Sequence, residues 1–135
     1  MQLGLGSVSQ LALNVTDADA AEHFYGETLG LRKIFRPQPH MVFFDCGGLS
    51  LLLEESHDAS APIGGAVIYF DVADIALTAR ELESRGVVFK HPIHLITRQP
   101  TYDLYMAFFQ DPFGNMLALS MQAPKGYALP TAATT

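Results

Sequence analysis

The strongest constraint on what this chain can fold into is that it contains one pattern twice. The stretch QLALNVTDADA starts at Gln10, and VIYFDVADIAL starts at Val67, 57 residues later. Val15 and Asp17 fall on Val72 and Asp74, and Asn14 falls on Asp71. Each stretch is apolar, has the length of a strand and runs into a helical pattern. In the first copy Ala21, Phe24, Tyr25 and Leu29 keep helical spacing; Thr16 or Asp17 is placed to cap the start, and Gly30 ends it. In the second, Ile75, Leu77, Ala79 and Leu82 lie along a helix of similar length, with Asp74 as cap and Gly86 where a left-handed residue is wanted. The later parts correspond too. LGLRKIF (29–35) matches RGVVF (85–89), and FFDCGGLSLLL (43–53) matches FFQDPFGNMLAL (108–119), a strand, a tight turn and a strand. Each copy reads β-α-β-β-β, the second with a longer loop from Lys90 to Tyr105. One Val-x-Asp pair would mean little. The shared order of elements, the two glycine stops and the two FF-turn-strand endings make a duplication the better reading.

At 135 residues the chain has the length of one ordinary domain and can bury a core without staples. Hydrophobic residues make up 49% and charged residues 16%, which excludes disorder throughout. A net charge of −6 argues against nucleic acid and against an anionic membrane surface, since both call for clustered cations. No apolar run reaches the ~20 residues of a membrane helix, and the start, MQLGLGSVSQ, has no basic leader region. The lone Cys46 allows no intrachain disulfide, which fits a cytoplasmic protein. Ala123–Thr135, rich in Ala, Thr and Pro, reads as a poorly ordered tail after modules at 8–56 and 64–122.

Three motifs carry a family likeness: LALNVTDADAAEHFYGETLGL, YFDVADIALTARELESRGV and FFQDPFGNMLAL. Over about residues 8–122 the chain resembles the vicinal oxygen chelate superfamily, which includes glyoxalase I, bleomycin-resistance proteins and extradiol dioxygenases. The resemblance implies an α+β fold: two βαβββ modules forming a U-shaped, mostly antiparallel sheet around a cavity, with the helices on the outer face. It also implies a homodimer.

Members of that family that use a divalent metal place ligands on inward-facing strand positions. Here those positions fall on Gln10, Leu52, Val67 and, in Leu117-Ala118-Leu119, Ala118. Gln10 has an amide oxygen, and Glu54 is a displaced substitute two residues after Leu52; the others have no donor atom. A divalent ion needs several converging oxygen, nitrogen or sulfur donors. No cofactor is expected, and a divalent metal is disfavoured.

Strand alternation turns Gln10, Ala12 and Asn14, Ser50, Leu52 and Glu54, Val67 and Tyr69, and Met116, Ala118 and Ser120 toward the cavity, and Leu11, Leu13 and Val15 toward the helix. The lining is apolar with polar handles at Gln10, Ser50, Tyr69 and Ser120, the character of a small-molecule pocket. The segment HPIHLITRQPTYDLYMAFF adds His91, His94, Arg98, Tyr102, Asp103 and Tyr105. His94 is a candidate general base with Asp103 to orient it, Tyr102 and Tyr105 are candidate stacking groups, and Arg98 is a candidate partner for a ligand anion. Against this, a loop histidine is commonly structural and a strand tyrosine commonly packs. His23 and Tyr25 read as surface or packing residues, and Cys46 as an inert thiol. No G-x-S-x-G elbow, phosphate loop or CxxC pair is present.

The leading expectation is a glyoxalase/bleomycin-resistance-like protein that binds a small organic molecule without a metal. The alternative is a glyoxalase-type lyase or isomerase, using His94 as general base or a divergent metal site. A purely structural or interaction domain has nothing positive in its favour.

Overall fold

The computed structural model describes residues 3–58 and 63–130. The chain divides between Gly64 and Gly65 into two compact units, and each carries one copy of the repeat.

The first unit runs β1 (Gln10–Val15), α1 (Ala18–His23), a π-helical turn (Phe24–Thr28), β2 (Arg32–Gln38), β3 (Met41–Cys46) and β4 (Leu49–Glu55). Its sheet has the order β1-β4-β3-β2; β1 is parallel to β4 and the other pairs are antiparallel. The second unit repeats this with β5 (Val67–Asp71), α2 (Ile75–Ser84), β6 (Phe89–Arg98), β7 (Tyr102–Gln110) and β8 (Met116–Pro124), in the order β5-β8-β7-β6. Again the one parallel pair joins the opening strand to the closing one. These are βαβββ modules, as the sequence repeat requires.

The helix starts are set by the same residue in each copy. The Asp17 carboxylate accepts from Ala20 N and the Asp74 carboxylate from Leu77 N, both at 3.0 Å, and both aspartates have extended backbone. Each satisfies an N–H that the helix itself leaves unpaired. The end of α2 closes as a Schellman turn: Gly86 has φ +93°, its N–H reaches Glu83 O, and Val87 N–H reaches Leu82 O. The end of α1 differs from the single helix expected through Leu29. It widens into the π-helical turn, where Leu29 N–H donates to Phe24 O and Leu31 N–H to Tyr25 O. Gly26 lies in that turn against the Phe44 ring; a Cβ there would stand 3.3 Å from Phe44 Cε1.

Each helix covers one face of its own sheet. In the first unit Leu13, Val15, Val42, Phe44, Leu51 and Leu53 are buried with Ala18, Ala21 and Tyr25 of the helical segment. Tyr25 is thus a packing residue, fully buried, its ring centroid 6.3 Å from that of Phe44. In the second, Ala107, Phe109, Leu117, Leu119 and Met121 are buried with Ile75, Ala79 and Leu82. Leu11, expected under the helix, remains exposed.

Two expectations fail locally. The stretch Lys90–Tyr105 is mainly strand, not loop: β6 takes up residues through Arg98, and a short turn, held by Gln99 N–H to Tyr102 O at 2.8 Å, leads into β7. Its alternation is broken by irregular register at three places, so the sequence does not read as one strand. The expected tail begins too early. Ala123 lies in β8 and is fully buried, and Tyr127 packs its ring against Tyr105 at 5.4 Å. Residues 131–135 of that stretch lie outside the described residues. Among the described residues no helix is long and apolar enough to cross a membrane.

Asp74→Ala should lower stability by about 1 kcal/mol, read from the urea midpoint, while Asp74→Asn should retain most of the cap.

Candidate functional site

The face of the second sheet turned away from α2 holds the best-developed arrangement, and hydrogen-bond register lays it out in rows. One row crosses all four strands: His91 of β6, Phe108 of β7, Ala118 of β8 and Tyr69 of β5. The next row is His94, Met106, Ser120 and Asp71. On the other side lie Gln110, Met116 and Val67.

Phe108 is the centre of a ring cluster. Tyr69 meets it edge to face, with centroids 6.0 Å apart and planes at 81°. His91 meets it in the same way at 5.9 Å and 85°, and His94 lies tilted at 6.2 Å and 31°. Between Tyr69 and Phe108 stands Ala118, small enough for the two rings to meet across it, and fully buried. Tyr69 itself is 51% exposed, so the platform has an accessible edge.

The two histidines reach one ring because β6 is bulged. Strict alternation would send residues three apart to opposite faces. The register slips between Phe89 and His91 and again between His91 and His94, around Pro92, which has no N–H for the ladder. The Pro92 carbonyl takes a hydrogen bond instead, from His94 Nδ1 at 2.8 Å. A carbonyl only accepts, so Nδ1 carries the proton, and in the neutral imidazole Nε2 is left as an acceptor.

Asp103 does not orient His94. It lies on the opposite, helix-side face of β7 with Tyr105, its side chain 2% exposed, and it accepts from Arg98 Nη1 at 3.0 Å and Lys125 Nζ at 2.6 Å. Lys125 also donates to Gln99 O. Arg98, Asp103 and Tyr105 are thereby engaged in tying the β6–β7 turn to the chain after β8, away from the ring cluster. Tyr102 shares the cluster's face but sits at its far end, paired in register with Pro124.

In the first unit the corresponding face carries Gln10 and Ser50 in register with Asp45, and Ala12 and Leu52 in register with Phe43. Phe35 stacks on Phe43 at 4.8 Å and 12°. Asp45 is paired with Arg32 at 3.4 Å. Glu54 lies in register with Asn14 and Met41. Of the four positions that the family likeness assigns to metal ligands, Leu52, Val67 and Ala118 have no donor atom, and the rings of Tyr69 and Phe108 close over Ala118. That set does not fit a divalent cation. Among the described residues no group of three or more His, Cys, Asp or Glu is placed to hold one.

A cleft of about 540 Å³ lies elsewhere on the first unit, lined by α1, the π-helical turn and β2. Its charges are spent on one another: Arg36 pairs with Asp19 at 2.8 Å and Glu22 at 3.0 Å, and Lys33 with Glu22 at 3.3 Å. The hydrogen bond to Asp19 above all holds the Arg36 guanidinium charged, its pKa raised further. The cleft is polar and internally paired, so the aromatic face of the second sheet is the stronger candidate. His23 lines this cleft as an exposed residue of α1.

Sequence reasoning placed Val67, Tyr69, Ala118 and Ser120 on this face and missed Phe108 and the bulge that recruits His91. Phe108 was findable, because in an FF pair on one strand each ring takes a different face.

Residues 7–119 match the family model described as the Glyoxalase/Bleomycin resistance protein/Dioxygenase superfamily. Among solved structures, the chain is similar to a lactoylglutathione lyase from Agrobacterium tumefaciens, with 25% identity over 92% of this chain and 99% of that one and a TM-score of 0.68. An integron cassette protein from the mobile metagenome of V. cholerae has 18% identity over 90% and 98%, with a TM-score of 0.74. An antibiotic binding protein from a Streptomyces species has 23% identity over 90% and 100%, with a TM-score of 0.71. No curated protein matches the sequence.

Two outcomes follow from the placement of the charged and reactive groups. Asp103→Ala should cost about 1–2 kcal/mol in urea unfolding, because it removes the acceptor of two charge-assisted hydrogen bonds whose donors, Arg98 and Lys125, are left partly in water. Burial, and then the neighbouring Asp45, push the Cys46 thiol up from its ordinary pKa. Cys46 should therefore alkylate more slowly at pH 7 than a free thiol, and its rate should still be climbing at pH values where that of a free thiol has levelled off.

Proposed function

We propose a function on one premise: the chain belongs to the Glyoxalase/Bleomycin resistance protein/Dioxygenase superfamily, whose model matches residues 7–119. The protein binds a small, planar organic molecule against the helix-free face of the second sheet, without a metal ion. The observation that carries this is the ring cluster of Tyr69, His91 and His94 around Phe108. Aromatic rings present large, rigid contact area, and an apolar face with few polar groups fixes both affinity and orientation. Met106 and Met116 on the same face add adaptable, polarizable surface. Ser120, in the His94 row, offers a hydroxyl. The absence of donor atoms at Leu52, Val67 and Ala118 supports binding that owes nothing to a cation. We place the protein in the reducing cytoplasm on its single cysteine, and take it to act as a homodimer as the family likeness implies.

A second reading is an isomerase or lyase in which His94 moves a proton. The free Nε2 of His94, with Nδ1 held by Pro92 rather than by Asp103, favours it, and so does the likeness to the A. tumefaciens lyase. In that reaction Nε2 would take a proton from bound substrate, and the Pro92 carbonyl would hold the imidazolium in place.

Titration calorimetry with naphthalene and 2-naphthol should show binding that is unchanged by EDTA. Tyr69→Ala and Phe108→Ala should each weaken it by about 2- to 12-fold, the range of an aromatic contact, while Asp103→Ala should leave it unchanged. Binding that appears only on addition of zinc or nickel would sink the metal-free reading.

A further inference from the structure

We infer that the ligand of the aromatic face is a planar molecule bearing a hydroxyl, and that this hydroxyl donates to Nε2 of His94; the inference rests on the binding reading above. The argument starts from a bond that fixes a tautomer. His94 Nδ1 lies 2.8 Å from Pro92 O, and the carbonyl has no proton to give, so the ring nitrogen is the donor. Neutral imidazole carries one N–H. Nε2 is thus a bare acceptor, and no partner for it is found among the described residues.

The surroundings decide what it can accept from. Across the sheet the His94 row continues through Met106 and Ser120 to Asp71, three strands away and, at ~4.8 Å per strand, roughly 14 Å distant. Beside it is the ring row His91, Phe108, Ala118 and Tyr69. No lysine or arginine stands in either row to attract a carboxylate or phosphate. A flat molecule seated on Phe108 therefore meets, at the β6 edge, an acceptor and not a cation. A phenol or enol supplies the missing proton to that acceptor; an ether or a plain hydrocarbon leaves Nε2 stripped of water with nothing in its place.

His94 is then the residue that sets specificity, and its tautomer is set by the strand. Pro92 cannot join the ladder, its bulge turns the local backbone, and its carbonyl is left to hold the ring.

The test uses three probes of one shape: 2-naphthol, 2-methoxynaphthalene and naphthalene, titrated into the full chain. The wild type should prefer 2-naphthol over both others by about 2- to 12-fold, the worth of one net hydrogen bond. His94→Phe keeps a ring beside Phe108 and removes the acceptor; it should abolish that preference and leave naphthalene affinity within about 2-fold. Nitrogen NMR of the free wild type should show His94 protonated on Nδ1 and bare on Nε2. Equal affinity for all three probes in the wild type, a preference that survives His94→Phe, or a proton on Nε2 in neutral His94 would overturn the inference while leaving aromatic binding intact. Failure of every probe to bind would remove both this inference and the reading beneath it.

Discussion

Each four-stranded sheet has one short helix to cover it. A helix hides one face of a sheet, and here α1 with its π-helical turn does so with Ala18, Ala21 and Tyr25, and α2 with Ile75, Ala79 and Leu82, against buried strand residues. The other face of each sheet gets no cover from its own helix, yet it carries Phe35, Phe43 and Leu52 in one unit and Tyr69, Phe108 and Met116 in the other. Apolar side chains left on a helix-free face either pack on another surface or bind something. The same shortage of helix leaves these faces free of their own helix.

The duplication then lets the two faces diverge without disturbing the scaffold. Gln10 and Val67, Ala12 and Tyr69, Leu52 and Ala118, Phe43 and Phe108 hold matching register positions. The caps at Asp17 and Asp74 are the same bond in both copies. The first face pairs Phe35 with Phe43 and closes its polar end with Arg32 and Asp45. The second has Ala118 where the first has the bulky Leu52, and Tyr69 where the first has the small Ala12, so the bulk sits on the edge strand as a ring that meets Phe108 across the alanine. That exchange of volume between adjacent strands is what lets the two rings meet across Ala118.

Much of the fold was legible in the sequence. The helix caps, Gly86 and the order of elements rest on short-range rules, and the structure keeps them. The faces of β1, β4, β5 and β8 were legible because alternation holds along an unbroken ladder. The candidate site was only partly so. Alternation puts Tyr69, Ala118 and Ser120 on one face, and the strand register has them in the same or adjacent rows. The sequence reads His94 as part of a loop and strand entry, with Asp103 a candidate to orient it; in the structure His94 lies within the strand β6, and Asp103 faces the helix side, where Arg98 and Lys125 hold it. Lys125 is 22 residues from Asp103, and no local pattern announces such a pair.

The sequence by itself determined that there are two βαβββ modules, where their helices start, and which residues of each regular strand share a face. It could do so because caps, turns and period-two alternation are properties of neighbouring residues. The tertiary structure alone decided that His91 and His94 converge on Phe108, that Pro92 holds the His94 proton, and that Asp103 serves the chain end. Those depend on how far one strand slips against another, and a bulge changes that phase without leaving a mark in the spacing of the residues.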